Sequence, residues 1–81
     1  AVAPAPDRPE ISSRLARLSP AEERVLALIC TGLSNSEIAR ETGRSASAVK
    51  KAVSSLLAKF GTESRIQLAV LAVEAGFHPE D

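Results

Sequence analysis

The alternation of helix-start serines with helix-stop glycines is what most limits how this chain can fold. Ser19 and Ser34 are each followed three residues later by a glutamate (Glu22, Glu37), Ser64 is followed by Gln67, and Ser45 opens another run. Such a pair forms a capping box: the serine oxygen takes an orphan amide of the first turn, and the acid or amide reaches back to the cap. Pro20 adds a fixed φ at a first helical position. The chain has 4 glycines, and Gly32, Gly43, Gly61 and Gly76 each follow one of these starts, where glycine is suited to ending a helix. The apolar residues between the marks fall at helical spacing. Val25, Leu26, Leu28 and Ile29 lie in the first run, and Leu33 and Ile38 form a staple around the second. Val49, Val53, Leu56, Leu57 and Phe60 lie in the third. A fourth run, 65–75, carries one stripe of Ile66, Ala69, Val70 and Val73 and another of Leu68, Leu71, Ala72 and Ala75. No strand-like alternation interrupts the pattern. The expected fold is all-α, with four short helices.

Composition sets the limits around that fold. The 81 residues hold one small domain, and with only Phe60 and Phe77 aromatic its core must be aliphatic. Pro4, Pro6 and Pro9 mark residues 1–17 as a linker, in which Ile11–Arg17 forms at most a short helical turn; residues 18–81 are the domain. The single Cys30 and single His78 exclude an internal disulfide framework and a protein-only four-ligand zinc site, and no cofactor is expected. Catalysis is not expected either, because no nucleophile–base pair or metal set is present. No apolar run reaches the roughly 18–20 residues of a membrane span. With Ala1 first and no charged-then-apolar leader, the chain reads as a piece of a larger cytoplasmic protein.

The second and third runs are separated only by Thr42-Gly43-Arg44, a spacing that matches the helix-turn-helix, whose second helix reads DNA. With the apolar set of the third run buried, Ser47, Lys50, Lys51, Ser54, Ser55 and Ala58 face outward. From Arg44 to Phe60 there are four bases (Arg44, Lys50, Lys51, Lys59) and no acid, although the whole chain has a formal charge of +0. A cationic face of small side chains can approach a polyanion closely.

From Leu18 to Phe77 the chain resembles the LuxR/FixJ-type helix-turn-helix family, the DNA-binding module of bacterial response regulators and quorum-sensing factors. The likeness is carried by Leu18-Ser19-Pro20-Ala21-Glu22, Val25-Leu26, Gly32-Leu33-Ser34-Asn35, Glu37-Ile38-Ala39, Ser45, Val49-Lys50, Leu56-Leu57, Lys59-Phe60-Gly61, and Arg65 with Gln67-Leu68-Ala69. It implies sequence-specific binding of double-stranded promoter or operator DNA, with a recognition helix of about 46–60 in the major groove. Lys50 would then reach bases or nearby phosphates, and Lys51 and Ser54 would help set the sequence read. Ser34, Asn35 and Ser36 before one helix, and Arg44, Ser45 and Ser47 before the next, would approach the phosphate backbone. Capping is the simpler role for Ser34 and Ser45. Arg65 is either a phosphate contact or a structural pin. Family habit also implies a homodimer through the last helix, with Leu68, Val70, Leu71 and Glu74 at the interface. The surplus apolar stripe of that helix could otherwise pack on Ile11–Leu18, but the resemblance favours the partner. An upstream receiver or ligand-binding domain is implied as well.

Three departures bear on affinity. Ala48 stands where the family usually has Thr, Ala52 where it has His, and Arg24 where a second acid is expected. Fewer phosphate anchors on a neutral chain imply weak, strongly salt-dependent binding by this domain alone. The alternative is a helix-turn-helix module that binds a protein partner, an anti-activator or polymerase-contacting unit, with little DNA affinity.

Overall fold

A computed structural model describes residues 9–78. Five helices follow in order: α1 (Pro9–Ala16), α2 (Pro20–Cys30), α3 (Asn35–Thr42), α4 (Ala46–Lys59) and α5 (Arg65–Glu74). The described residues contain no strand, and none of their helices is long and apolar enough to cross a membrane. The four helices read from the serine and glycine marks are α2 to α5.

Helix α1 is the addition. The described part of the stretch read as linker is helical from Pro9, and Ile11 is buried in the core with Leu15 packed against it. Ser12 Oγ donates to the Ala75 carbonyl at 3.4 Å, tying α1 to the end of α5. Ile11 and Leu15, spaced i and i+4, therefore outweigh the neighbouring prolines, because Pro9 sits in the first turn, where its missing N–H costs nothing.

The starts are built as the serine chemistry dictates. Glu22 N–H donates to Ser19 Oγ at 3.1 Å while Ser19 N–H donates to Glu22 Oε1 at 3.0 Å. Ser34 and Glu37 repeat the exchange at 3.2 and 2.8 Å. Ser45 Oγ accepts from Ala48 N–H at 3.1 Å. The box expected at Ser64–Gln67 is only half formed. Ser64 Oγ accepts from the amides of Ile66 and Gln67, but the Ser64 N–H turns to Thr62 Oγ1 at 3.4 Å. Gln67 Oε1 instead accepts from the Thr62 hydroxyl at 2.6 Å, so threonine supplies the return half of the cap.

The stops share one geometry. Gly32, Gly43, Gly61 and Gly76 all have positive φ, from 66° to 98°. The next residue in each case returns its N–H to the carbonyl five positions back: Leu33 to Leu28, Arg44 to Ala39, Thr62 to Leu57 and Phe77 to Ala72, at 2.9–3.2 Å. This is the six-to-one bond of the Schellman end, and it satisfies a carbonyl that the helix leaves open.

Helix α2 is the hub, packing on α3, α4 and α5, while α1 packs on α5. Val25, Leu26, Ile38, Val49, Leu56 and Leu68 are fully buried, and Phe60, Ala72 and Ala75 close the core around them. Across this core, the ammonium of Lys59 at the end of α4 pairs with the Glu22 carboxylate at the start of α2.

Two carboxylates in the caps titrate below their ordinary value. Lys59 and then the Ser19 amide hold Glu22 low, and the Ser34 amide does the same for Glu37. A carboxylate whose folded pKa is depressed adds stability above its unfolded pKa, about 4.3, and loses it as pH falls through the lower folded value. The melting temperature should therefore drop more steeply below about pH 4.3 in the parent than in a Glu22→Gln/Glu37→Gln variant. Thermal melts by circular dichroism across pH 7 to 2.5 give the comparison.

Candidate nucleic-acid interface

Helices α3 and α4 meet through a short turn centred on a left-handed glycine. Helix α3 has 8 residues and ends at Gly43, whose φ is 67° and ψ 27°. The N–H groups of Gly43 and Arg44 both return to the Ala39 carbonyl, and Ser45 then caps α4. Thr42 Oγ1 donates to the Ile38 carbonyl at 2.7 Å, tightening the last turn of α3 further. Two helices joined by so short a glycine-centred turn form a helix-turn-helix.

Helix α4 separates its duties by face. Val49, Val53 and Leu56 are buried, and Leu57 is half-buried. Ser47, Lys50, Lys51, Ser54, Ser55 and Ala58 are exposed. Its 14 residues extend about 21 Å at the helical rise, and the small outward side chains leave it slim enough for a groove about 12 Å wide. Among the described residues, the side chains of Arg44, Lys50 and Lys51 make no ion pair or hydrogen bond, so their donors are uncommitted. Lys59, counted with them in sequence, is committed to Glu22 and lies at the far end of the helix. The usable positive charge is thus concentrated toward the first half of α4.

The polar groups beside α4 divide between structural and open positions. Ser34 and Ser45 hold caps through their oxygens; the Ser34 hydroxyl keeps a proton to donate, while the Ser45 and Ser47 hydroxyls share a hydrogen bond at 3.5 Å. Ser36 is exposed, and Asn35 is half-buried. Arg65, the first residue of α5, crosses to the start of α3: Nη1 donates to Asn35 Oδ1 at 2.7 Å and Nη2 to the Leu33 carbonyl at 2.8 Å. Of the two roles open to Arg65 in sequence, its bonds are those of a pin. Arg24, on α2, donates to the Glu41 carbonyl at 3.4 Å. It therefore ties α2 to α3 from a position where an acid was expected.

This arrangement agrees with the comparison to known proteins. Residues 16–72 match the model of the bacterial regulatory proteins of the luxR family. The chain belongs to that family. It is a LuxR-type helix-turn-helix DNA-binding domain, and the match spans α2, α3 and α4 and reaches Ala72 in α5. The response regulator Rre1 of Synechocystis sp. (strain ATCC 27184 / PCC 6803 / Kazusa) is 43% identical over 58 residues, which are 72% of this chain and 25% of that protein. The chain thus spans about a quarter of the length of this relative. No solved structure matches.

Within this LuxR-type domain, α5 sorts the residues expected at a partner surface. Leu68 is fully buried and presents nothing to a second molecule. Its stripe, with Ala72 and Ala75, is the inner one, claimed by the core, and α1 packs on α5 from the same domain. Leu71 is half-buried and Glu74 exposed. The outer stripe is open, with Ile66 74%, Val70 50% and Val73 46% exposed. Ile66 and Val73 share this exposed stripe with Val70, as their spacing in the sequence indicates.

The turn between α3 and α4 is testable by itself. A Cβ at Gly43 would meet nothing within 4 Å, so substitution costs only the left-handed backbone. Gly43→Val should destabilise the domain by about 1–2 kcal/mol, and Gly43→Asn by clearly less, since asparagine tolerates this conformation. Urea denaturation of the three proteins measures the difference.

Proposed function

We propose that this chain is the effector domain of a bacterial transcription regulator, binding a specific duplex DNA sequence as a two-fold dimer with α4 in the major groove. The observation that carries the proposal is the exposed, small-residue face of α4 with uncommitted Lys50 and Lys51. Lys50 reaches base edges or the phosphates beside them, and Lys51 and Ser54 bias the sequence chosen. Arg44, Ser47 and the hydroxyls at the two helix starts position the domain on the backbone, where exposed amides and the helix dipole favour an anion. The module works by binding rather than catalysis, in the cytoplasm with the chromosome.

The dimer is proposed through the outer stripe of α5. Ile66, Val70 and Val73 recur at i, i+4 and i+7, a single apolar row on an otherwise complete domain. The same row on a second copy is its natural complement, because an isologous contact pairs a surface with itself. Half-sites would then lie about one helical turn apart on the DNA, ~34 Å. The relative Rre1 is a response regulator of which this chain matches a quarter. That supports an upstream receiver or ligand-binding domain controlling the dimer.

Two measurements test these proposals. Lys50→Ala should weaken binding to a promoter duplex and lower the slope of log affinity against log salt by about one, read by fluorescence anisotropy. A parent domain with no measurable affinity even at low salt would favour the protein-binding alternative. Val70→Asp should leave the melting temperature close to that of the parent but weaken operator binding at least about tenfold, since the dimer would bury an unpaired carboxylate. Sedimentation equilibrium on the operator should then show one subunit instead of two.

A further inference from the structure

Two side chains that sequence places among the DNA contacts touch each other. Arg65 Nη1 donates to Asn35 Oδ1 at 2.7 Å, and Nη2 donates to the carbonyl of Leu33 at 2.8 Å. A guanidinium carries five donors and no acceptor, so only the oxygen end of the Asn35 carboxamide can face it. The other end, the Nδ2 amide with its two N–H groups, makes no hydrogen bond with any described residue. No buried side-chain nitrogen or oxygen among the described residues lacks a partner, so this Nδ2 reaches solvent. It does so from the first residue of α3, beside the exposed Ser36, where the helix dipole is positive.

An asparagine left to itself would sample several rotamers and both amide orientations, and in half of them its oxygen would repel an incoming phosphate. The bond to Arg65 removes that choice. It is charge-assisted, which makes it stronger than a neutral pair and polarises the amide at the opposite end. The second bond, to the Leu33 carbonyl, holds the backbone on which Asn35 stands.

We propose that Arg65 is a positioning residue for DNA binding: by holding Asn35 Oδ1 and the Leu33 carbonyl, it aims the Asn35 Nδ2 donors and the first turn of α3 at a backbone phosphate. This rests on the reading of the chain as a DNA-binding domain. Arg65 itself makes no phosphate contact in this arrangement, and its influence passes through Asn35.

A double-mutant cycle separates the direct role from the indirect one. A labelled duplex is titrated at several salt concentrations with the parent, Arg65→Ala, Asn35→Ala and the double variant, each checked by circular dichroism. Each single change should weaken binding about three- to tenfold, the net scale of one ordinary hydrogen bond. The double variant should bind within about twofold of Asn35→Ala, and Arg65→Ala should leave the salt slope unchanged. Arg65→Lys, which keeps one charged donor, should recover part of the loss, and it carries the same cycle if Arg65→Ala does not fold. In the parent, the Asn35 side-chain amide resonances should move on adding duplex; in Arg65→Ala they should collapse toward those of a free amide before any duplex is added. Additive losses, or a salt slope reduced by about one on removing Arg65, would mark a direct phosphate contact and overturn the proposal. A parent chain that binds no duplex at low salt fails the DNA-binding reading as well, and is distinguished from additive losses by that fact alone.

Discussion

The rest of this domain depends on a bond that recurs four times: the N–H after a left-handed glycine returning to a carbonyl five residues earlier. That bond ends a helix within one residue, without a frayed turn. At Gly43 it determines whether α3 and α4 are two helices or one bent rod. Because α3 stops where it does, Ile38 enters the core from one direction while Val49, Val53 and Leu56 enter it from another. The opposite face of α4 is left clear. With only two aromatic residues, the core could not have been closed by one or two large side chains. Short helices meeting at several angles let small aliphatic residues fill it.

What was legible in the sequence follows the range of the interaction. Caps and stops act over three to five residues, so Ser19–Glu22, Ser34–Glu37 and the four glycines could be read directly. Even there, Ser64 shows how a neighbouring threonine can take over half of a cap. Periodicity correctly assigned the buried face of α4. It left α5 undecided because both faces are apolar, and only the packed structure shows Leu68 inside and Val70 outside. Helix α1 was hidden by prolines whose effect depends on position: Pro9 opens the helix rather than preventing it.

The long-range pairs lay beyond what any local pattern could give. Lys59 and Glu22 are 37 residues apart, and Arg65 and Asn35 are 30 apart. The first joins the end of α4 to the start of α2 and pairs a cation counted in the Arg44–Phe60 run with a carboxylate; the second joins the starts of α5 and α3 and fixes where the Arg65 guanidinium sits. The charge left for a polyanion is therefore smaller and more localised than the run from Arg44 to Phe60 suggests. Together with Ala48 and Ala52 on the half-buried flank of α4, this leaves one copy few anchors, so a second copy would matter more.

The division of labour on α4 has an evolutionary consequence. The residues that hold the helix in place and those that face outward share no position, and the outward ones are mostly serine and alanine, with little packing to lose. Exchange at Ser47, Lys51, Ser54 or Ala58 should therefore be close to neutral for folding, as surface changes usually are. If α4 reads DNA as proposed, target preference can drift by single steps, each passing through a folded protein. A lineage carrying this scaffold could explore new operators without first acquiring compensating changes in its interior.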